Sequence, residues 1–191
     1  MRFDGRTWTS FINYLLFQLG WFTAVFGAAA GHPWLATAAG LTLVAAHLVL
    51  VRNPRQEGAL LLVSLFIGIL VDGLHMRTGV LVFPIGLMHP DLPPPWILTL
   101  WLQFAMTLHY SMAWLAGRFV TGALLGAVSG ALAYWAGVRV GAAGFGADLL
   151  VCMGQIGVSW GLCLPLLLYV AQKTTAVQLP HTYRCLADRE Q

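Results

Sequence analysis

Six apolar runs follow one another along this chain, over residues 11–30, 33–51, 59–77, 96–115, 119–137 and 149–171, with short clusters of glycine, proline and arginine between them. A hydrocarbon core of about 30 Å is crossed by roughly 20 helical residues, and each run meets that length. Hydrophobic residues make up 59% of the chain and charged ones only 9%, whereas soluble domains carry roughly 25% charge. A soluble fold of this size could not hide so much apolar surface. Inside a bilayer every backbone N–H and C=O must find its partner within the protein, which leaves helices or closed barrels. Runs of this length select helices. The expectation is an all-α membrane protein, a compact bundle of six transmembrane helices within residues 1–172, followed by a polar cytoplasmic tail, 173–191. The apolar stretch 80–84 ends in Pro84, is too short to span, and is expected to dip into the interface.

Charge orients such a bundle. With six spans, one side holds Arg2, Arg6, Arg52, Arg55, Arg118, Lys173, Arg184 and Arg189, and the other holds Arg77 and Arg139. Positive residues concentrate on the cytoplasmic side, so both termini are expected there. Ala28-Ala29-Ala30 imitates a signal-peptide cleavage site. The run before it is longer than a signal's usual 7–15 apolar residues, and it reads as an uncleaved helix. Trp34 and Trp96 each follow a proline at the outer face, where amphipathic rings settle.

Small residues mark close packing. The fifth run carries Gly122, Gly126 and Gly130 at four-residue spacing, which lets helix backbones approach in lipid. Two readings stand: a seam inside the bundle, or a homodimer through Gly122, Gly126 and Gly130.

Asp72 is the one carboxylate deep in an apolar run. An ionisable group there costs about 2.5–3.5 kcal/mol on insertion scales, so it faces the interior and has a partner. It shares a helical face with Ser64, Gly68 and His75. The fourth run repeats Thr99, Gln103, Thr107 and Ser111 at i+4 spacing, and the sixth carries Cys152, Gln155, Ser159 and Cys163. At 1.5 Å per residue, Asp72, Gln103 and Gln155 all lie roughly 8–10 Å below the outer edge. The expected site is a polar pocket on the extracytoplasmic side, with Asp72 at its base, His75 toward the exit, and Gln103, Thr107, Gln155 and Ser159 around it. The alternative is that Asp72 is bonded by Gln103, Gln155 or Arg77 and simply fixes helix register.

Asp72-x-x-His75 offers two metal ligands where zinc takes three or more, and no metal or cofactor is expected. The three cysteines are isolated and read as packing residues or free thiols. His47 and His109 fall toward the cytoplasmic half as buried, neutral, hydrogen-bonded side chains. Pro90–Pro95 reads as a stiff connector. No nucleophile elbow, HExxH, phosphate loop or histidine box occurs, and no basic run suggests nucleic acid.

Several blocks resemble a family of uncharacterised bacterial inner-membrane proteins known only as a domain of unknown function. They are Trp21-Phe22 with Gly27-Ala28-Ala29-Ala30-Gly31-His32-Pro33-Trp34, Asp72 with Gly79 and Phe83-Pro84, and Pro95-Trp96 running into Leu100-Trp101, Phe104-Ala105-Met106-Thr107-Leu108 and Ser111-Met112-Ala113-Trp114-Leu115. The similarity spans residues 10 to 170. Members of that family tend to be encoded beside cyclopropane-fatty-acid-synthase-like genes. By association, the resemblance implies a role in envelope lipid modification, with membrane lipid and a lipid-modifying enzyme as partners. It brings no catalytic residue. Three functions are consistent with the residues: an accessory or ligand-binding protein, a small-solute or proton-coupled carrier using Asp72, and a membrane-embedded lipid-modifying enzyme using Asp72 and His75.

Overall fold

The structure, a computed structural model, describes residues 5–51 and 53–176. Six helices run through it: α1 (Gly5–Ala29), α2 (Pro33–Leu50), α3 (Pro54–Arg77), α4 (Pro95–Leu108), α5 (Phe119–Arg139) and α6 (Leu149–Ala176). A 3-10 turn, Ala113–Leu115, follows α4, and two short strands, β1 (Leu81–Val82) and β2 (Gly144–Phe145), pair antiparallel. Five helices are long and apolar enough to cross a membrane, and α4 is a shorter apolar helix of 14 residues. The chain is an all-α membrane protein. Of the expected tail, residues 177–191, with Cys185, lie outside the described residues, as do Arg2 and Arg52.

The breakers act as their chemistry dictates. Proline opens α2, α3 and α4 at the first helical turn, where no backbone N–H is needed. Gly31, with φ +83°, reverses the chain after α1. Its N–H reaches the Ala28 carbonyl, and the N–H of His32 reaches that of Gly27 at 2.8 Å. A left-handed residue of this kind closes a helix at little cost only when it is glycine.

The fourth helix is shorter than the apolar pattern implied. It ends at Leu108 rather than 115, because the following residues turn aside to make specific bonds. The His109 ring lies 2.8 Å from Glu57 and 2.9 Å from the Ala171 carbonyl. Ser111 donates its hydroxyl to Asn13 Oδ1 at 2.8 Å, and the N–H groups of Tyr110 and Met112 both turn back to the Thr107 carbonyl. Those bonds gather the start of α1, the start of α3 and the ends of α4 and α6 at one end of the bundle. Segment 80–84 belongs to the opposite end, where Val80, Leu81 and Phe83 are buried and β1 meets β2.

α4 is the central helix, packed against α1, α2 and α3 and touching α6, while α5 rests almost wholly on α6. The glycine row of α5 makes that last seam. A side chain at Gly126 would meet the Trp160 carbonyl at 2.4 Å, and one at Gly130 would meet the Trp160 ring at 2.3 Å. From the other side, Gly157 and Gly161 approach the carbonyls of Ala127 and Ala123. The row that the sequence also allowed as a homodimer seam is thus occupied by α6 of the same chain.

Large apolar side chains cover the outside, among them Leu150 at 82% exposure and Val120 at 76%, while Glu57, Asp72, His75 and Gln103 are buried. This inversion of a soluble protein's pattern suits a hydrocarbon surround. α1 and α5 stand apart, and a cleft opens between them. α4 forms its floor and Trp160 its back.

Candidate functional site

The Asp72 face of α3 is built around one tryptophan. Gly68 leaves room for the Trp101 ring, since a Cβ there would fall 2.4 Å from it. Ser64 donates to the Trp101 carbonyl at 2.8 Å. So placed, Trp101 donates its indole N–H to Asp72 Oδ2 at 2.8 Å. Tyr134, from α5, donates its hydroxyl to the other carboxylate oxygen at 2.5 Å. Trp160 stacks on Trp101 with ring centroids 4.6 Å apart. Asp72 itself is fully buried. Charge-assisted bonds to both oxygens are what a carboxylate needs in low dielectric.

His75, one turn along the same face, is fully buried as well. Its Nδ1 lies 3.8 Å from Asp72 Oδ1 and makes no hydrogen bond among the described residues. Its Nε2 lies 3.1 Å from Ser159 Oγ on α6. The structure therefore brings together three of the expected residues: Asp72, His75 and Ser159.

The others are placed elsewhere. Gln155 donates to Thr78 Oγ1 at 2.8 Å, on the α3–α6 seam. Gln103 points toward α1 and α2, where a side chain on Gly20 would collide with its Oε1 and one on Gly40 would meet its Nε2 at 2.9 Å. Neither polar end of Gln103 has a hydrogen-bond partner among the described residues. Thr107 donates to the carbonyl of Phe104 at 2.6 Å. The equal depths expected for Gln103 and Asp72 did not make them neighbours, because Trp101 and Gln103 are two residues apart and so project from different sides of α4. Arg77 likewise is not among the hydrogen-bond donors to Asp72.

Sequence reasoning missed Tyr134 and the role of Trp101. One signal was available: Tyr134 continues the row of Gly122, Gly126 and Gly130 at the same four-residue spacing, so it lies on the face that seats α6.

A second buried carboxylate anchors the opposite end of α3. Glu57 Oε1 faces His109 Nδ1 at 2.8 Å, and Oε2 faces His47 Nε2 at 3.3 Å. His109 also bonds the Ala171 carbonyl, so both its ring nitrogens face acceptors. Thr174 Oγ1 lies 3.4 Å from the same ring, which ties this end of α6 to α3 through His109. The hydrogen bonding expected of His109 is thus present, to Glu57 and to the Ala171 carbonyl. Glu57 escaped notice because it precedes the apolar run, among the breakers. Among the described residues no group of three or more His, Cys, Asp or Glu side chains is arranged to hold a metal ion.

The cleft between α1 and α5 has a volume of about 490 Å³. Phe17, Trp21 and Phe22 line one side, Ala133, Tyr134 and Gly137 the other, with Trp96, Trp101 and Phe104 below. Trp101 and Tyr134 thus present their rings to the cleft and their polar hydrogens to Asp72. The pocket itself is apolar, and the carboxylate sits behind its wall.

A family model described as "Protein of unknown function (DUF2878)" matches residues 10–166. The chain belongs to that family. No curated protein and no solved structure matches it. The family description carries no activity, so the arrangement of side chains in this DUF2878 member is the guide to what it does.

Proposed function

We propose that this protein is a multi-pass protein of the bacterial inner membrane that holds a lipid hydrocarbon chain, and that it serves envelope fatty-acid modification as an accessory or ligand-binding component. The cleft carries this reading. Ligand sites are concave, mostly apolar and of roughly 300–1,000 Å³, and this one is lined by aromatic and small side chains between helices with lipid-facing surfaces. An acyl chain fits such a surface, whereas a hydrated solute finds few polar groups there.

Six crossings with both termini in the cytoplasm belong to the same reading. α4 supplies roughly 21 Å of helix, and its central place in the bundle supports counting it as a crossing. The excess of Arg and Lys on the side of the termini supports that orientation, which places Asp72 in the outer half of the bilayer.

The test is native mass spectrometry of the protein released from mild detergent, with lipid extraction. A bound acyl lipid is expected on the wild type, and Ala133→Trp, which fills the cleft, is expected to remove most of it. Wild type free of lipid in that experiment overturns the reading.

A further inference from the structure

The seam between α3 and α6 holds a hydroxyl, an imidazole and a carboxylate in sequence. Ser159 Oγ is 3.1 Å from His75 Nε2, and His75 Nδ1 turns to Asp72 Oδ1 at 3.8 Å. With the serine donating to Nε2, the imidazole keeps its proton on Nδ1, facing the carboxylate. The arrangement is that of a nucleophile, its base and the group that orients the base, which is recognised by geometry and role rather than by order in the chain. At 3.8 Å the two are close but not hydrogen-bonded. Such contacts are often long without substrate and tighten as the imidazolium forms.

Exposure divides the three in the sense catalysis needs. His75 and Asp72 are fully buried, while Ser159 is half-buried on α6. Beside it on α6, Val158 is 66% exposed and Leu162, one turn on, 70%. A molecule reaching Ser159 therefore arrives from the hydrocarbon phase. Gln155, one turn before Ser159, uses one amide hydrogen on Thr78, and its amide carries a second for a developing oxyanion.

We propose that Ser159 is the nucleophile of a lipid-ester hydrolase site, with His75 as general base and Asp72 as the residue that positions His75. This site lies on the α3–α6 seam and stands independently of the α1–α5 cleft. Ser159 Oγ bonds to the ester carbonyl carbon as its proton passes to His75 Nε2. The carbon–oxygen bond to the lipid alcohol then breaks, and that alcohol leaves with the proton from His75. Water, deprotonated by the same nitrogen, attacks the acyl group, releasing a fatty acid and restoring the serine hydroxyl. The groups facing His75 are Asp72 on its own helix, Ser159 on α6 and the edge-on ring of Tyr134 on α5.

The experiment treats the full chain, in detergent or nanodiscs, with an alkyl fluorophosphonate and locates the adduct by peptide mass spectrometry. A single adduct on Ser159 is expected, absent in Ser159→Ala and slowed on the order of 100-fold or more in His75→Asn. Asp72→Asn should slow labelling and flatten its pH profile, which a merely structural carboxylate would not do. Circular dichroism and gel filtration establish that each variant is folded. Vesicles of phosphatidylethanolamine and phosphatidylglycerol should release fatty acid with wild type and not with Ser159→Ala. Folded wild type without an adduct on Ser159, or an adduct indifferent to His75→Asn, overturns the nucleophile. Labelling without fatty-acid release overturns the lipid-ester substrate.

Discussion

Glu57 and Asp72 stand roughly four turns apart on α3, and each is buried with a histidine beside it, one at either end of the helix. One helix thus carries two acid–histidine pairs into the bundle, each completed by other helices. The Glu57 pair closes the end where α1 begins and α6 finishes, and the Asp72 pair meets Trp101, Tyr134 and Ser159 at the other. Buried carboxylates in lipid are costly unless fully bonded, so both pairs should report on stability.

The Asp72–Tyr134 bond is open to a double-mutant cycle. Tyr134→Phe leaves one carboxylate oxygen without its donor, and Asp72→Asn leaves two donors facing a weaker acceptor. Each is expected to cost about 1–3 kcal/mol, the penalty for a buried polar group left unmet. The double variant should fall short of the sum by about 0.5–3 kcal/mol. Equilibrium unfolding in mixed micelles measures this, and strict additivity would mean the two side chains do not meet.

The His109 cluster should carry stability. Its ring bridges Glu57 and the Ala171 carbonyl, so His109→Leu, which leaves the buried Glu57 carboxylate short of one partner, is expected to destabilise by about 1–3 kcal/mol. Thermal unfolding of the variant measures this, and an unchanged melting temperature refutes the assignment.

Two glycines separate seam from surface. Gly126→Ala places a Cβ against the Trp160 backbone, whereas nothing lies within 4 Å of a Cβ at Gly154. Backbone cannot move aside as a flexible side chain does, so Gly126→Ala should destabilise by about 1–3 kcal/mol. Gly154→Ala should be neutral or stabilising by up to about 1 kcal/mol. Thermal unfolding of the two variants decides.

Gln103 offers a test of the opposite sign. It is fully buried with neither end bonded among the described residues, and an unbonded buried amide costs about 1–3 kcal/mol. Gln103→Met keeps the length without the polar atoms and should leave the protein as stable or more stable. A large loss on chemical unfolding would reveal a partner for the amide.

The amino-acid sequence alone determined the solvent and the secondary structure: long apolar runs broken by Gly, Pro and Arg must become helices in lipid, and proline and glycine placed most of the ends. It also singled out Asp72, because one charge in an apolar run has few uses. The tertiary structure decided the partners. A polar stripe gives the direction a side chain takes from its own helix and says nothing of which helix is there to meet it. Equal depth made Gln103 a neighbour of Asp72 on paper, while the azimuth of α4 gave that place to Trp101. Tyr134 and Glu57 entered their sites for the same reason, since their contacts join segments of the chain far apart in sequence. Ser159 reached His75 only when the glycine seam fixed α6 against α5 and α3 packed along α6.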